Sequence, residues 1–140
     1  MIKAVDGQSI SIWSNIASQL WSRTSKELEQ AFVNDRFPYE FLYFKNGECL
    51  GFISLSIRQD YVEGAKVSPV AFLEGIYVQP SVRRQSIASE LIIFAREWAR
   101  AHGLSQLASN AELDNELSQL FHQRLGFREV SRTVNFITNL

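Results

Sequence analysis

Apolar residues recur at helical spacing in four stretches of the chain, and each stretch predicts an amphipathic helix. The first spans Ile10 to Trp21. The second opens at the capping box Thr24-x-x-Glu27 and runs to about Asp35. A long helix follows from Ile87 to Ala99, with Gly103 suited to its C-terminal cap, and a fourth covers residues 113–125.

The segments between these helices are short and apolar or aromatic, which predicts strands. Asn46-Gly47 favours a tight hairpin between two of them. Hairpins come first and strand–helix–strand units follow, so we expect an α/β (α+β) fold with a mixed sheet and helices on both faces. The predicted strands are Met1–Val5, Tyr39–Lys45, Cys49–Arg58, Val70–Val78, Leu104–Ser109 and Val130–Ile137.

Composition narrows the class of protein. The 140 residues include 46% hydrophobic and 21% charged residues, with a net charge of -1 and no repeat or linker, which predicts one globular domain over residues 1–140. The balanced charge argues against nucleic-acid and membrane-surface partners. Met1 to Gly7 lack a signal-peptide pattern, no apolar run could span a bilayer, and Cys49 stands alone, so we expect the cytoplasm.

The segment from Val70 to Ala88 carries the clearest chemistry. A strand runs into a loop with Arg83 and Arg84, and the loop opens the long helix. The first turn of a helix has unpaired N–H groups and the positive end of the dipole, so it binds phosphate. The segment therefore predicts a pyrophosphate site, although it also fits a plain strand–loop–helix corner with two solvated arginines.

Arg83-x-x-Ser86-x-Ala88 resembles the coenzyme A pyrophosphate loop of the GNAT acyltransferase superfamily, whose pattern is Gln/Arg-x-x-Gly-x-Gly/Ala. Within it, the chain is similar to the single-domain aminoglycoside 6'-N-acetyltransferases. The resemblance implies a GNAT-type sheet with splayed central strands, and acetyl transfer from acetyl-CoA to the 6'-amino group of the antibiotic without a metal. The further stretches that carry it are Ser56-Ile57-Arg58-x-Asp60-Tyr61-Val62-x-Gly64, Ser68-Pro69-Val70, Phe72 to Val78, Ala108-Ser109, Leu113-Asp114-Asn115 and Leu125-Gly126-Phe127.

The resemblance also implies a coenzyme A site. The backbone of Ile76, Tyr77 and Val78 would hold the pantetheine arm, and an N–H there would polarise the thioester carbonyl. Asn115 would contact coenzyme A. The pyrophosphate would lie on Arg83, Arg84, Gln85, Ser86, Ile87, Ala88 and Ser89.

Glu74 is an acid inside an apolar run, with Val70 to Leu73 before it and Ile76 after it. A charge in such a run needs a partner or a purpose. An alkylamine has a pKa of about 10.4, so acetylation at neutral pH needs a base to remove its proton. By the resemblance Glu74 is that base, while a glutamate on the solvent face of the strand also fits the pattern.

His122 falls where many GNAT enzymes have a tyrosine that protonates the departing thiolate, once Asn115, Gly126 and Phe127 are aligned with the superfamily. An imidazole can donate a proton at neutral pH. His122 is therefore a candidate general acid. A half-exposed helix histidine with no catalytic role fits the same position.

An aminoglycoside is a polycation, which aromatic faces and carboxylates bind. The resemblance assigns Trp21, Tyr61 and Glu74 to it, and Asn110 stands where close relatives have an aspartate. The position of Trp21 is also that expected of a tryptophan in the core. Tyr61 could equally be an aromatic loop residue that only covers the sheet. Ser86 replaces the glycine of the phosphate loop, where its Cβ would crowd the pyrophosphate and a positive φ would be costly.

Three functions remain open from the sequence. The first is an aminoglycoside 6'-N-acetyltransferase, and the second is a GNAT enzyme for another amine, such as a polyamine or a peptide. The third is a catalytically weak acyl-CoA-binding module. The departures from the family pattern at Ser86 and Asn110 would account for the weak catalysis. We also expect a homodimer, because the short apolar end strand Val134–Ile137 would leave an edge that invites a partner.

Overall fold

The computed structural model describes all residues from 1 to 140. Five strands and four helices follow one another in the predicted order up to the fourth helix. None of the helices is both long and apolar enough to cross a membrane. The elements are β1 (Ile2–Ala4), α1 (Ile10–Leu20), α2 (Ser25–Val33), β2 (Tyr39–Lys45), β3 (Glu48–Arg58), β4 (Val70–Val78), a 3-10 turn (Pro80–Val82), α3 (Ile87–Ala101), β5 (Leu107–Ala108) and α4 (Glu116–Arg124).

The five strands form one sheet in the order β1-β2-β3-β4-β5. Neighbours are antiparallel except β4 and β5, which are parallel, so the prediction of a mixed sheet is confirmed. Asn46 and Gly47 turn between β2 and β3 with φ of 53° and 78°, the left-handed values that a tight hairpin needs.

Helices cover both faces of this sheet, as predicted. On one face α1 and α2 enclose a small core built around Trp13, Leu28 and Phe52, all without solvent exposure. The predicted capping box fixes the start of α2, because Thr24 accepts from the Glu27 amide and the Glu27 carboxylate accepts from Thr24. On the other face α3 packs the larger core. Gly103, with φ of 73°, follows its C-terminal end as expected.

Two irregularities open the sheet at its centre. The register between β3 and β4 shifts, so that Leu55 faces Leu73 and Ser54 faces Gly75, which leaves Glu74 without a partner in a β-bulge. Beyond Phe72, β4 continues for six residues whereas β5 ends, so the two strands part. The expected splayed centre is therefore confirmed, and Glu74 lies at the point where it opens.

The strand predicted over Val130–Ile137 is wrong, because the chain from Phe127 onward has no regular structure. Strand propensity is realised only against a neighbouring strand, and here no strand pairs with the outer edge of β5. The segment stays exposed, with Val134, Phe136 and Ile137 at 65%, 91% and 97% exposure. The fifth strand is also shorter than predicted, and α4 begins at Glu116 instead of residue 113.

Candidate active site

The loop that opens α3 presents backbone amides with no partner in the chain. Arg84 and Ser86 both adopt left-handed conformations, with φ of 71° and 65°. None of the six amides from Arg84 to Ser89 donates a hydrogen bond to another group of the protein. A run of free amides at the positive end of a 15-residue helix is a site for an anionic group such as a diphosphate.

The two arginines of this loop have different surroundings. The Arg83 Nε donates to the Val78 carbonyl at 3.0 Å, and its guanidinium lies 5.4 Å from the centre of the Tyr77 ring. Arg83 therefore ties the loop to the end of β4. Arg84 is exposed and makes no hydrogen bond or ion pair within the chain, so its charge is available to a phosphate.

The edge of β4 beside this loop is open. Ile76 and Tyr77 are half-buried, and no strand pairs with β4 on the β5 side beyond Phe72. Because backbone groups alternate in direction along a strand, some N–H and C=O groups here point into the gap. Asn115 lies at the start of α4, where its Oδ1 accepts from the Ser118 amide at 3.1 Å and leaves its Nδ2 for an outside partner.

Glu74 holds two partners on the sheet face that α1 and α2 cover. The Ser56 Oγ donates to its Oε2 at 2.5 Å. Arg58 forms a bidentate ion pair with it, with Nη2 2.9 Å from Oε1 and Nε 3.1 Å from Oε2. The two side chains are 31% and 41% exposed, so the carboxylate is neither buried in the core nor free in solvent.

Trp21 lies directly beside this carboxylate's strand. A Cβ built on Gly75 would stand 2.8 Å from the indole Cζ2, so glycine lets the ring approach β4 this closely. The indole also stacks on Phe37 at 5.3 Å between ring centres and meets Phe52 edge-on at 5.4 Å. Trp21 and Glu74 therefore share one face of the sheet, next to the bulge.

A second acid, Glu40, lies two strands away on β2 and is buried, at 3% exposure. Its Oε1 accepts from the Trp13 indole Nε1 at 2.9 Å, and its Oε2 lies 2.6 Å from the Ser54 Oγ. Burial, and to a smaller extent the charge of Glu74, raises the pKa of Glu40 to about 8, against the lowering effect of the hydrogen bonds with Ser54 and Trp13. Glu40 is thus held as a neutral acid at neutral pH.

His122 on α4 is joined to Ser109 at the end of β5. The His122 Nδ1 lies 2.7 Å from the Ser118 carbonyl, which can only accept, so Nδ1 carries a hydrogen. The other ring nitrogen, Nε2, lies 2.8 Å from the Ser109 Oγ, which in turn lies 3.4 Å from the Leu73 carbonyl. The pair therefore bridges α4 and the point where β4 and β5 part.

A cavity of about 1010 Å³ opens beside β5 and α4. It brings together three predicted residues, Tyr61, Asn110 and His122, whereas Trp21 and Glu74 lie outside it. Tyr61 is 77% exposed. The cavity wall contains five arginines and three glutamates, so its net charge is positive; these residues are Arg58, Arg96, Arg100, Arg128, Arg132, Glu63, Glu112 and Glu129.

Comparison with known proteins identifies the family of the chain. Residues 8–127 match the model of the acetyltransferase (GNAT) family. The chain belongs to that family. It is 35% identical, over 96% of its length and 95% of the other protein, to the aminoglycoside N(6')-acetyltransferase type 1 of Acinetobacter haemolyticus.

Solved GNAT structures share the whole fold. The crystal structure of the aminoglycoside 6'-N-acetyltransferase AAC(6')-Ih from Acinetobacter baumannii superposes with a TM-score of 0.91 at 34% identity, covering 100% of this chain and 98% of that one. A structure of AAC(6')-Iy in complex with the bisubstrate analogue CoA-S-monomethyl-acetylneamine gives a TM-score of 0.89 at 32% identity, with the same coverage. The chain therefore shares its fold with both of these acetyltransferases.

Sequence reasoning missed the partners of the predicted residues. Ser56 and Arg58 are two residues apart on β3, so the sequence already indicated that they share one face of the sheet. Their contact with Glu74, however, depends on the register across the bulge. Ser109 was part of a matched stretch, yet its contact with His122 spans 13 residues and two elements. Glu40 gave a weak signal, as the single acid within the aromatic run of β2.

Proposed function

We propose that this GNAT protein transfers the acetyl group of acetyl-CoA to the 6'-amino group of aminoglycoside antibiotics. The observation that carries the proposal is the run of free amides from Arg84 to Ser89 at the mouth of the splayed strands, with Glu74 at their bulge. The 6'-amino group as acceptor is supported by the relatives, which are named aminoglycoside N(6')-acetyltransferases.

The chain's own groups fit coenzyme A. Free amides at the start of α3 and the charge of Arg84 would hold the diphosphate. The unpaired edge of β4 at Ile76 to Val78 would bind the pantetheine arm as an added strand. An amide of that edge would then donate to the thioester oxygen, and it would stabilise the oxyanion that forms when the amine attacks.

Glu74 is the general base of the proposed reaction. Its carboxylate takes a proton from the substrate ammonium, and the neutral amine attacks the thioester carbon. The nitrogen–carbon bond forms as the carbonyl electron pair moves onto oxygen. When the oxyanion collapses, the carbon–sulfur bond breaks and its electron pair leaves with sulfur.

Ser109 and His122 serve the departing thiolate. The Ser109 hydroxyl gives its proton to sulfur and takes one from Nε2 of the protonated His122 ring, which is left neutral with Nδ1–H on the Ser118 carbonyl. The ring regains its proton from solvent. This assignment rests on the 2.8 Å contact between Ser109 Oγ and His122 Nε2 at the point where β4 and β5 part.

The rest of the aminoglycoside would lie on aromatic and polar side chains. Trp21 offers an indole next to Glu74, and Tyr61 offers a largely exposed ring on the loop after β3. Asn110 would contribute an amide where a carboxylate would attract a cation more strongly.

A GNAT reaction on another amine is the second candidate. The neutral Asn110 and the net positive cavity both weaken the attraction for a compound with many positive charges. They favour an acceptor with fewer charges, such as a peptide amine or a short polyamine.

One assay separates these functions. The protein is mixed with acetyl-CoA and with kanamycin, tobramycin, spermidine or a lysine peptide, and free thiol is recorded, while the acetylated nitrogen is identified by NMR. Thiol release with kanamycin and acetylation at the 6'-nitrogen would support the first function. Turnover with spermidine or the peptide alone would establish the second, and coenzyme A binding without any turnover would mean a binding module.

A homodimer and a cytoplasmic location belong to the same proposal. The exposed apolar side chains of Val134, Phe136 and Ile137 would be covered in a dimer. Light scattering on the purified protein tests this, and a monomeric mass at micromolar concentration would contradict it. The half-buried free thiol of Cys49 and the use of acetyl-CoA both favour a reducing compartment.

A further inference from the structure

The Arg58–Glu74 ion pair stands where the proposed reaction needs a free carboxylate. Arg58 uses both oxygens of Glu74, at 2.9 Å and 3.1 Å, and Ser56 takes a further position on Oε2. A carboxylate has about four acceptor positions. The substrate ammonium would find most of them filled and a second cation beside it.

Two positive charges at one carboxylate repel each other. Solvent weakens this repulsion at a partly exposed site, yet it still opposes placing an ammonium beside the guanidinium. The ammonium and the guanidinium therefore compete for Glu74 and do not share it.

Besides Glu74, the Arg58 guanidinium contacts the ring of Phe72. Its guanidinium carbon lies 3.4 Å from the centre of the Phe72 ring, a distance typical of stacking. Phe72 and Arg58 both line the cavity and Glu74 does not, so Arg58 contacts both Glu74 and the cavity. A guanidinium that leaves Glu74 can stay on the Phe72 face and turn toward the cavity.

We propose that Arg58 holds the place of the substrate's ammonium group: it occupies Glu74 in the free protein and yields the carboxylate to the incoming amine while it stays stacked on Phe72. Arg58 is thus a positioning residue that acts through Glu74. It keeps the base oriented and its charge compensated until a cation of the right reach displaces it. This inference rests on the proposed role of Glu74 as the base that meets the amine.

The exchange also sets which amines are accepted. Only an ammonium that reaches Glu74 with other anchoring contacts, such as the indole of Trp21, can displace a guanidinium held by two hydrogen bonds. A simple alkylammonium has a single point charge and makes no such additional contact. It would therefore not displace Arg58 from Glu74.

Binding of kanamycin is measured by calorimetry in the wild type and in Arg58→Met, Arg58→Lys and Glu74→Gln, each saturated with coenzyme A. We expect Arg58→Met to bind about fivefold more tightly, the size expected when one partly exposed ion pair no longer has to open. Arg58→Lys keeps the charge but loses the planar guanidinium with its two hydrogen bonds to Glu74. Its affinity for kanamycin should therefore lie between those of the wild type and Arg58→Met. In the Glu74→Gln background the gain from Arg58→Met should shrink to less than about twofold, because no carboxylate is left to compete for.

A side-chain NMR signal decides between exchange and a purely structural role. The Arg58 Nε–H resonance should shift on addition of kanamycin to the complex with coenzyme A, and methylammonium should leave it unchanged. Turnover of kanamycin with an unmoved Arg58 signal would overturn the exchange and leave the proposed function standing. A shift caused only by spermidine or the peptide would keep the exchange and overturn the aminoglycoside assignment, and no shift with any amine of the panel would overturn the exchange itself.

Discussion

The indole of Trp21 lies against the backbone of Gly75, so close that a Cβ on Gly75 would stand 2.8 Å from the ring and 2.9 Å from Leu20 Cδ2. The contact joins the end of α1 to the strand residue that follows Glu74. It therefore ties the proposed aromatic surface for the substrate to the position of the proposed base.

Gly75→Ala should push the indole off β4. We expect the free energy of unfolding to fall by about 1–3 kcal/mol, as for other overpacked sites, and the KM for the amine to rise because Trp21 and Glu74 no longer face the same volume. Urea unfolding and steady-state kinetics measure the two effects. Gly7→Ala is the matched control, since a Cβ there has no atom within 4 Å. An unchanged KM with a lowered stability would remove Trp21 from the substrate site.

Ser86, which precedes the first residue of α3, should make the fold less stable than a glycine at that position would. Its φ of 65° is left-handed, which costs a residue with a Cβ about 1–2 kcal/mol, and its side chain makes no capping hydrogen bond. Ser86→Gly should stabilise the fold by up to about 1 kcal/mol, after the larger entropy of glycine in the unfolded chain is subtracted. It should also tighten coenzyme A binding. Ser89→Gly, within the first turn of the helix, should have the opposite effect on stability.

Thermal unfolding and calorimetry with coenzyme A test this pair of variants. The two glycine substitutions are chemically identical and three residues apart, so their difference isolates the backbone conformation of Ser86. Equal losses of stability in both would contradict the role given to its left-handed conformation.

The buried acid Glu40 should make stability depend on pH. Its pKa is about 8 in the folded protein against 4.5 for an exposed glutamate, so the folded state binds the extra proton between those values. The free energy of unfolding should therefore fall as pH rises through this window and level off above about pH 8, with a slope of at most about 1.4 kcal/mol per unit from this group.

Glu40→Gln keeps an oxygen for the Trp13 indole and removes the titration. The variant should lose this part of the slope and be more stable than the wild type at about pH 9. Urea unfolding at several pH values between 5 and 9 gives the slope directly. Parallel curves for the two proteins would mean that Glu40 is ionised in the fold at every pH tested.

The Ser109–His122 pair should act on the departing thiolate. Ser109→Ala and His122→Asn should each lower kcat with acetyl-CoA by about tenfold or more, and the double variant should be no slower than either single one. Ser118→Ala is the control, because the Ser118 carbonyl that holds the ring remains. With 4-nitrophenyl acetate, whose leaving group departs without protonation, the losses should disappear. Equal losses with both acyl donors would assign the pair to structure.

Local patterns predicted the parts of the fold that local physics decides. The capping box at Thr24, the hairpin turn at Asn46 and the exact bounds of β2 and β4 follow from neighbouring residues. The strand over Val130–Ile137 failed because a strand needs a partner, and no pattern within a segment reveals whether one is present.

The candidate site was predicted in its residues more than in its contacts. The loop at Ser86 and the acid Glu74 stood out, since one begins a helix and the other interrupts an apolar run. The pairing of Glu74 with Arg58 depends on a one-residue bulge between strands, and the burial of Glu40 depends on a helix that covers it. Such contacts arise from register and packing across elements.

The central claim is that free amides at the start of α3 hold coenzyme A and so direct its thioester to Glu74. The most direct measurement is the rate of acetyl transfer from acetyl-CoA to kanamycin in a single turnover, in the wild type and in Glu74→Gln, with coenzyme A affinity measured on both. We predict a rate about a hundredfold or more lower in Glu74→Gln, with coenzyme A bound equally well by both proteins. An equal rate in the two proteins, or a wild type that does not bind coenzyme A, would contradict the account.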